Sequence, residues 1–166
     1  DKVLFKDNPS DAFDSDFSHG EIINSNFINI GNDAIDVSGS EVNINSVVIK
    51  SALDKAISIG ERSNIMGKGV TIQESGIAIS AKDSSSFIFD IVKLSHNNVA
   101  FALFNKKSEF SGASGTVNNA TLLNNKVKYL VERGSEMRIN DSLIKGEIKN
   151  VKKLMYGEKY GAKTVK

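Results

Sequence analysis

A chain of 166 residues fits a single domain, and its 40% hydrophobic and 25% charged residues argue against disorder. The net charge of +1 gives no overall attraction to nucleic acid or anionic membranes, and the absence of cysteine excludes disulfides and thiolate metal sites. No apolar run approaches the roughly 18 residues of a membrane span. The abundance of Ile, Val, Asn, Ser and Gly favours strands and turns over helices.

Similar segments recur along the chain at intervals of 22 residues. The stretch DAFDSDFS at 11–18 returns as DAIDVSGS at 33–40. Steps of 22 give one column of Ala12, Ala34, Ala56, Ala78 and Ala100, and a neighbouring column of Phe13, Ile35, Ile57, Ile79 and Phe101. A further copy, KYLV at 128–131, arrives six residues late, and we assign the delay to a loop in the Gly-rich FSGASGT at 110–116. This fixed period predicts a repeat architecture.

Each 22-residue unit contains about three short alternating segments joined by turns. In the unit at 33–40, Ile35 and Val37 are predicted to face the interior, with Ala34 and Asp36 facing outward. Strands this short are stable only when identical coils stack about 4.8 Å apart and pair in parallel. The sequence therefore predicts an all-β, single-stranded parallel β-helix of about six coils.

The two ends differ from the repeat. KVLFKDNPSD at 2–11 resembles the last strand of a coil whose beginning is missing, so we expect a C-terminal portion of a longer chain. The final residues lose the period and gain lysine. We expect a parallel β-helix over 1–146 and an irregular or short helical cap over 147–166. This basic tail could be a cap with a solvated side or a patch for an anionic glycan.

The coil segments resemble a known superfamily. GNDAIDVSGS at 31–40, DKAISIGERS at 54–63 and GIAISAKDSS at 76–85 are similar to right-handed parallel β-helices of the pectin-lyase-like fold. They resemble more narrowly the β-helix segments of bacterial surface proteins that accompany spore-coat-H-like kinase domains. LMYGEKYGAKTV at 154–165 is similar to the tail of those proteins. The resemblance implies a right-handed helix, a bacterial source and an extracellular or cell-surface location.

The predicted outward face of the alanine column offers a first candidate site. Its small side chains alternate with a polar column of Asp14, Asp36, Ser58 and Ser80. Such a face would form a shallow groove in which an extended polysaccharide could bond from coil to coil. The alternatives are a tight surface ladder or a second segment packed over this sheet.

Acidic residues at the N-terminal end suggest a metal site. Stacked Asp14 and Asp36 would repel each other unless a cation or lysine intervenes. Calcium prefers six to eight oxygen ligands, which Asp14, Asn32, Asp33 and Asp36 could partly supply. The alternative is that these aspartates accept hydrogen bonds from turn amides.

The turn after each copy carries charges beside the predicted groove. Glu61, Arg62 and Lys82 are candidate binding residues, and β-elimination of a uronate would need a base such as Arg62 or Lys82. The alternative is a ladder of surface ion pairs. No lyase signature surrounds either residue.

Two principal functions follow. The first is a non-catalytic β-helix module of a larger secreted or surface protein, a rigid scaffold that contacts carbohydrate or other domains of its parent chain. The second is a polysaccharide lyase or epimerase acting on acidic glycans, assisted by calcium. The near-ideal coils, with only one short insertion, favour the first.

Overall fold

Backbone hydrogen bonds join residues about one period apart in successive coils. The structure is a computed structural model that describes residues 1–157, and it forms a parallel β-solenoid of about six turns. The six-stranded sheet contains β2 (Phe13–Asp16), β5 (Ile35–Ser38), β7 (Lys55–Gly60), β9 (Ile77–Lys82), β11 (Val99–Phe104) and β13 (Val127–Val131). The nine-stranded sheet contains β1 (Leu4–Lys6), β3 (His19–Ile23), β4 (Asn26–Ile30), β6 (Glu41–Ala52), β8 (Asn64–Gln73), β10 (Ser86–Ser95), β12 (Ser114–Leu123), β14 (Glu136–Ile139) and β15 (Ser142–Lys145).

The strand register confirms the 22-residue period. Residues of β5, β7 and β9 pair in parallel, and Ile35, Ile57 and Ile79 follow one another as direct partners. All three are fully buried in one continuous apolar cluster. The cluster excludes water from strands that are too short to be stable separately, so the coils stabilise one another.

The long strands turn a corner without ending. The sequence predicted separate strands here, but β6, β8, β10 and β12 each continue through a residue with positive φ. The four residues are Ser46, Gly69, Ile91 and Asn119. A single residue in the left-handed region bends the strand, so that pairing with neighbouring coils resumes immediately after it.

Buried serines stabilise the corner between the two sheets. Ser40 Oγ accepts a hydrogen bond from Ser18 N, and Ser63 Oγ accepts one from Ser40 N one coil later. Ser135 Oγ accepts from Ala113 N in the same way near the other end. These bonds satisfy backbone amides that the turning chain removes from the sheet.

The extra six residues lie at this same corner. Ser86 pairs with Ser114 at a spacing of 28, whereas Phe104 still pairs with Lys82 at a spacing of 22. The insertion therefore lies within 105–113, slightly before the predicted 110–116, because Ser114 already belongs to β12.

The prediction that the alanine column faces outward is wrong. Ala34, Ala56, Ala78 and Ala100 are all fully buried and belong to the same interior cluster as their isoleucine and phenylalanine neighbours. In β7, β9 and β11 the residues on either side of the alanine pair with the neighbouring strand, but the alanine itself does not. The chain is still turning into the strand here, so strict alternation of inward and outward residues begins only at the next residue.

The C-terminal end is closed by elements that depart from the parallel pattern. Strand β15 pairs antiparallel with β14, and α1 (Val151–Met155) follows with Asn150 as its N-cap. Val151 and Met155 are fully buried in a second apolar cluster with Phe104 and Leu130. This confirms a short helix within the predicted cap over 147–166, of which residues 158–166 lie outside the described part. Across residues 1–157, helices are too short and too polar to cross a membrane.

Candidate functional sites

The predicted polysaccharide groove on the six-stranded sheet is covered rather than open. Ser58 and Ser80 are outward on their strands but fully buried, and Asp36 is only partly exposed. The Lys82 side chain crosses back over the sheet to donate to Ser58 Oγ at 2.9 Å, with its Nζ 3.9 Å from Asp36 Oδ1. Burial lowers the pKa of Lys82, and Asp36 partly opposes this effect. Farther along this sheet, α1 packs against Ala102 and Phe104.

A buried ionic cluster lies where the sequence suggested calcium. Lys55 Nζ is 3.3 Å from Asp33 Oδ1 and 2.5 Å from Asp54 Oδ2, while the Tyr156 ring lies 5.8 Å from the ammonium. Burial raises the pKa of Asp33 to about 7, although Lys55 opposes the shift. Burial alone would lower the pKa of Lys55, but Asp33 and Asp54 outweigh it and raise that pKa. The lysine ammonium thus supplies the positive charge that the carboxylates require.

The other predicted calcium ligands do not converge on one point. Asp14 is exposed, and its pKa is raised by desolvation and by nearby Asp36 and Asp16. Asn32 Nδ2 donates to Asp11 Oδ1, which also accepts from the Asp33 amide. In the part of the chain described, no three His, Asp or Glu side chains are grouped to hold a metal ion. These contacts match the alternative interpretation, in which aspartates accept hydrogen bonds from turn amides.

The charged turn contains separate local contacts. Glu61 forms an ion pair with Lys107, and the exposed Arg62 guanidinium lies 5.5 Å from the ring centroid of Phe110. Lys82 points instead toward Ser58 and Asp36. The two candidate bases therefore have different partners: Arg62 lies beside an aromatic ring, and Lys82 contacts a serine and an aspartate.

An open groove lies on the outer surface of the nine-stranded sheet. It encloses about 700 Å³ across β3, β6, β8 and β10. A second hollow of about 300 Å³ adjoins it, because Ser86 and Ile88 line both. We call these two hollows together the outer groove. Its outward-facing side chains are His19, Glu21, Glu41, Asn43, Asn64, Met66, Ser86 and Ile88, followed by Ser114, Thr116, Glu136 and Arg138.

The strand register arranges these side chains in two parallel columns. One column carries carboxylates, amides and hydroxyls, and Ser86 Oγ donates to Asn64 Oδ1 within it. In the other, Met66 and Ile88 are direct partners with exposed fractions of 58% and 54%. The wall of the first hollow includes Glu21 and Glu41, and no lysine or arginine lines it among residues 1–157.

Sequence reasoning missed the outer groove, although a signal was present. Met66 and Ile88 lie 22 residues apart. Each lies between two inward-facing residues of its strand, so each must face outward, where a polar residue is expected. Two apolar residues at one outward register indicate a surface available for contact.

Comparison with known proteins identifies no relative. No family model, curated protein or solved structure matches this chain.

Proposed function

We propose that this protein is a non-catalytic β-helix module that binds an extended polysaccharide along the outer groove. It would act as a rigid scaffold within a secreted or cell-surface protein. The observation that carries the proposal is a groove of about 700 Å³ in which an apolar floor of Met66 and Ile88 runs beside a polar column. Sugars present the same combination, with C–H faces beside hydroxyl edges.

The spacing of the coils supports an extended glycan. Equivalent side chains recur about every 4.8 Å along the solenoid axis, which is close to the length of one pyranose in an extended chain. A peptide strand advances by about 3.3 Å per residue and would lose register with the coils. Each sugar could therefore lie at the same register position on successive coils.

The charge of the groove favours a neutral glycan. Glu21 and Glu41 border the first hollow, where they would repel the carboxylates of a uronic-acid polymer. Amide and hydroxyl groups from Asn43, Asn64 and Ser86 can both donate and accept hydrogen bonds with sugar hydroxyls. The second candidate function, a lyase or epimerase for acidic glycans, receives less support from this surface.

Binding to neutral oligosaccharides tests the proposal. Titration calorimetry with β-linked glucan, mannan and chitin oligomers of six sugars should detect binding of at least one type. The double variant Met66→Asp/Ile88→Asp should weaken that binding by at least about tenfold, because charged side chains would replace the apolar floor. Thermal unfolding with calcium and with EDTA also tests the calcium hypothesis, which predicts a higher melting temperature with calcium.

A matched variant controls for changes in the fold. Val48→Asp/Leu123→Asp places the same charges on exposed apolar residues of the same sheet, outside the groove, and should retain binding. The proposal is wrong if no neutral oligomer binds or if both variants lose affinity equally. Release of unsaturated or reducing ends during incubation would contradict the non-catalytic assignment and favour the lyase alternative.

A further inference from the structure

The charges of this protein are separated along the solenoid axis. The first 40 residues contain eight acidic and only two basic side chains. Residues 126–157, which form the last coil and the described part of the cap, contain eight basic and four acidic side chains. The net charge of +1 therefore conceals an acidic end and a basic end.

The basic side chains of the last coil are exposed and lack carboxylate partners among residues 1–157. We call seven of these eight residues the basic end: Lys126, Lys128, Arg133, Lys145, Lys149, Lys152 and Lys153, whereas Arg138 lines the outer groove. Salt bridges within 4.0 Å occur elsewhere in the described chain, but they include none of these eight residues. Arg133, Arg138 and Lys152 donate to backbone carbonyls instead.

The geometry points to the basic end as a binding surface for an acidic polysaccharide, and we infer that this contact is separate from the outer groove. Three consecutive elements carry lysines: Lys145 lies on β15, Lys149 in the following turn, and Lys153 on α1, which packs on the outer surface of the six-stranded sheet. A flexible acidic polysaccharide with about one carboxylate per sugar can place successive carboxylates beside these separated ammonium groups. The acidic N-terminal end would repel the same polymer, so binding is confined to one end of the solenoid.

Acidic polysaccharide fits this surface better than nucleic acid does. Glu132, Glu136, Asp141 and Glu147 lie among the basic residues and reduce the net charge of residues 126–157 to +4. Duplex DNA carries one negative charge per about 1.7 Å along its axis, so a protein that binds it tightly needs a higher density of positive charge than this surface has. Among residues 126–157, the aromatic side chains Tyr129 and Tyr156 are partly buried, so this range offers no open stacking platform of the kind typical of single-strand binding.

Binding to a polygalacturonate oligomer at low salt tests this inference. We expect measurable affinity that falls steeply between 20 mM and 200 mM salt, as counterion release requires. Replacing Lys145, Lys149 and Lys153 with glutamine should weaken binding by about fivefold for each charge removed. The matched control replaces Lys6, Lys50 and Lys93, which changes the net charge equally but lies away from the basic end, and it should bind normally.

Three outcomes would overturn the inference. They are no binding at 20 mM salt, equal losses in the two triple variants, and binding of a DNA oligonucleotide as tight as that of the polygalacturonate. Unchanged melting temperatures in both variants would establish that each retains its fold. The Met66→Asp/Ile88→Asp variant should bind polygalacturonate normally, so failure of the groove proposal and failure of this one are distinguishable.

Discussion

Lys55 illustrates how a single buried side chain determines the chemistry of a whole region. Its ammonium is buried between Asp33 and Asp54 beside the Tyr156 ring, where each carboxylate alone would be strongly destabilised. Asp33 also accepts a hydrogen bond from the Lys55 backbone amide at 2.9 Å, which joins two successive coils. The same residues that suggested calcium in the sequence form a protein-only ion cluster.

Removing the lysine should destabilise the protein severely. We expect Lys55→Met to lower the free energy of unfolding by about 3–5 kcal/mol, because it leaves two carboxylates without a partner in the interior. Urea denaturation monitored by circular dichroism measures this change. Lys50→Met removes an ion pair with Glu74 whose partners are about half exposed, and its effect should stay within about 1 kcal/mol. Similar losses in the two variants would contradict the assigned role of the cluster.

At the scale of the strands, neighbouring coils fit by complementary size as well as by identical side chains. Ile35, Ile57 and Ile79 stack as identical side chains. Phe89, in contrast, pairs with Gly67 of the preceding coil. A Cβ on Gly67 would lie 2.4 Å from Phe89 Cε1 and 2.6 Å from the Ile44 carbonyl oxygen. The glycine therefore provides the space that the phenylalanine ring occupies.

Because of this packing, we expect that Gly67 cannot be replaced by alanine without loss of stability. Gly67→Ala should reduce stability by about 1–3 kcal/mol, as overpacking of a filled interior does. Gly20→Ala is the matched control, because nothing lies within 4 Å of the Cβ that it would add. Differential scanning calorimetry of the two variants compares them directly. A melting temperature for Gly67→Ala equal to that of Gly20→Ala would show that the ring moves aside freely.

At the scale of the molecule, the solenoid is asymmetric. At its C-terminal end β15 pairs with β14, and α1 packs over the outer surface of the six-stranded sheet, where Met155 is fully buried. Among residues 1–157, parallel strand pairing joins each coil only to the coils above and below it, so stability depends on neighbouring contacts and on closure of the ends. The cap should therefore contribute to the stability of all the coils.

Weakening the cap tests this coupling. Met155→Ala should lower the free energy of unfolding by about 2 kcal/mol or more, since it opens a cavity between α1 and the sheet. Lys153→Ala, an exposed change on the same helix, should alter it by no more than about 0.5 kcal/mol. Equilibrium denaturation distinguishes the two. An unchanged midpoint for Met155→Ala would mean that the helix detaches without affecting the coils.

The sequence was sufficient to predict the period and the parallel stacking, because like residues recur at a constant spacing, and it left an irregular or a short helical cap as alternatives. It also contained the Asp33–Lys55 pair, which lie 22 residues apart and are adjacent in register. It could not predict that Lys82 covers Ser58 or that α1 covers Ala102, since these contacts join the repeat to side chains outside its pattern. The buried alanines were misplaced because alternation holds only within a strand and fails at a corner.

The loop at 105–113 has a consequence for how such a chain can diversify. Asp83 Oδ1 accepts hydrogen bonds from the amides of Lys106 and Lys107 at its start, and the hydroxyls of Ser84 and Ser111 hydrogen-bond to each other near its end. Both ends of the loop are thus fixed by the preceding coil, whatever length separates them. Genetic insertion of a peptide epitope or a small foreign domain between Ser108 and Glu109 would leave the winding of every other coil undisturbed.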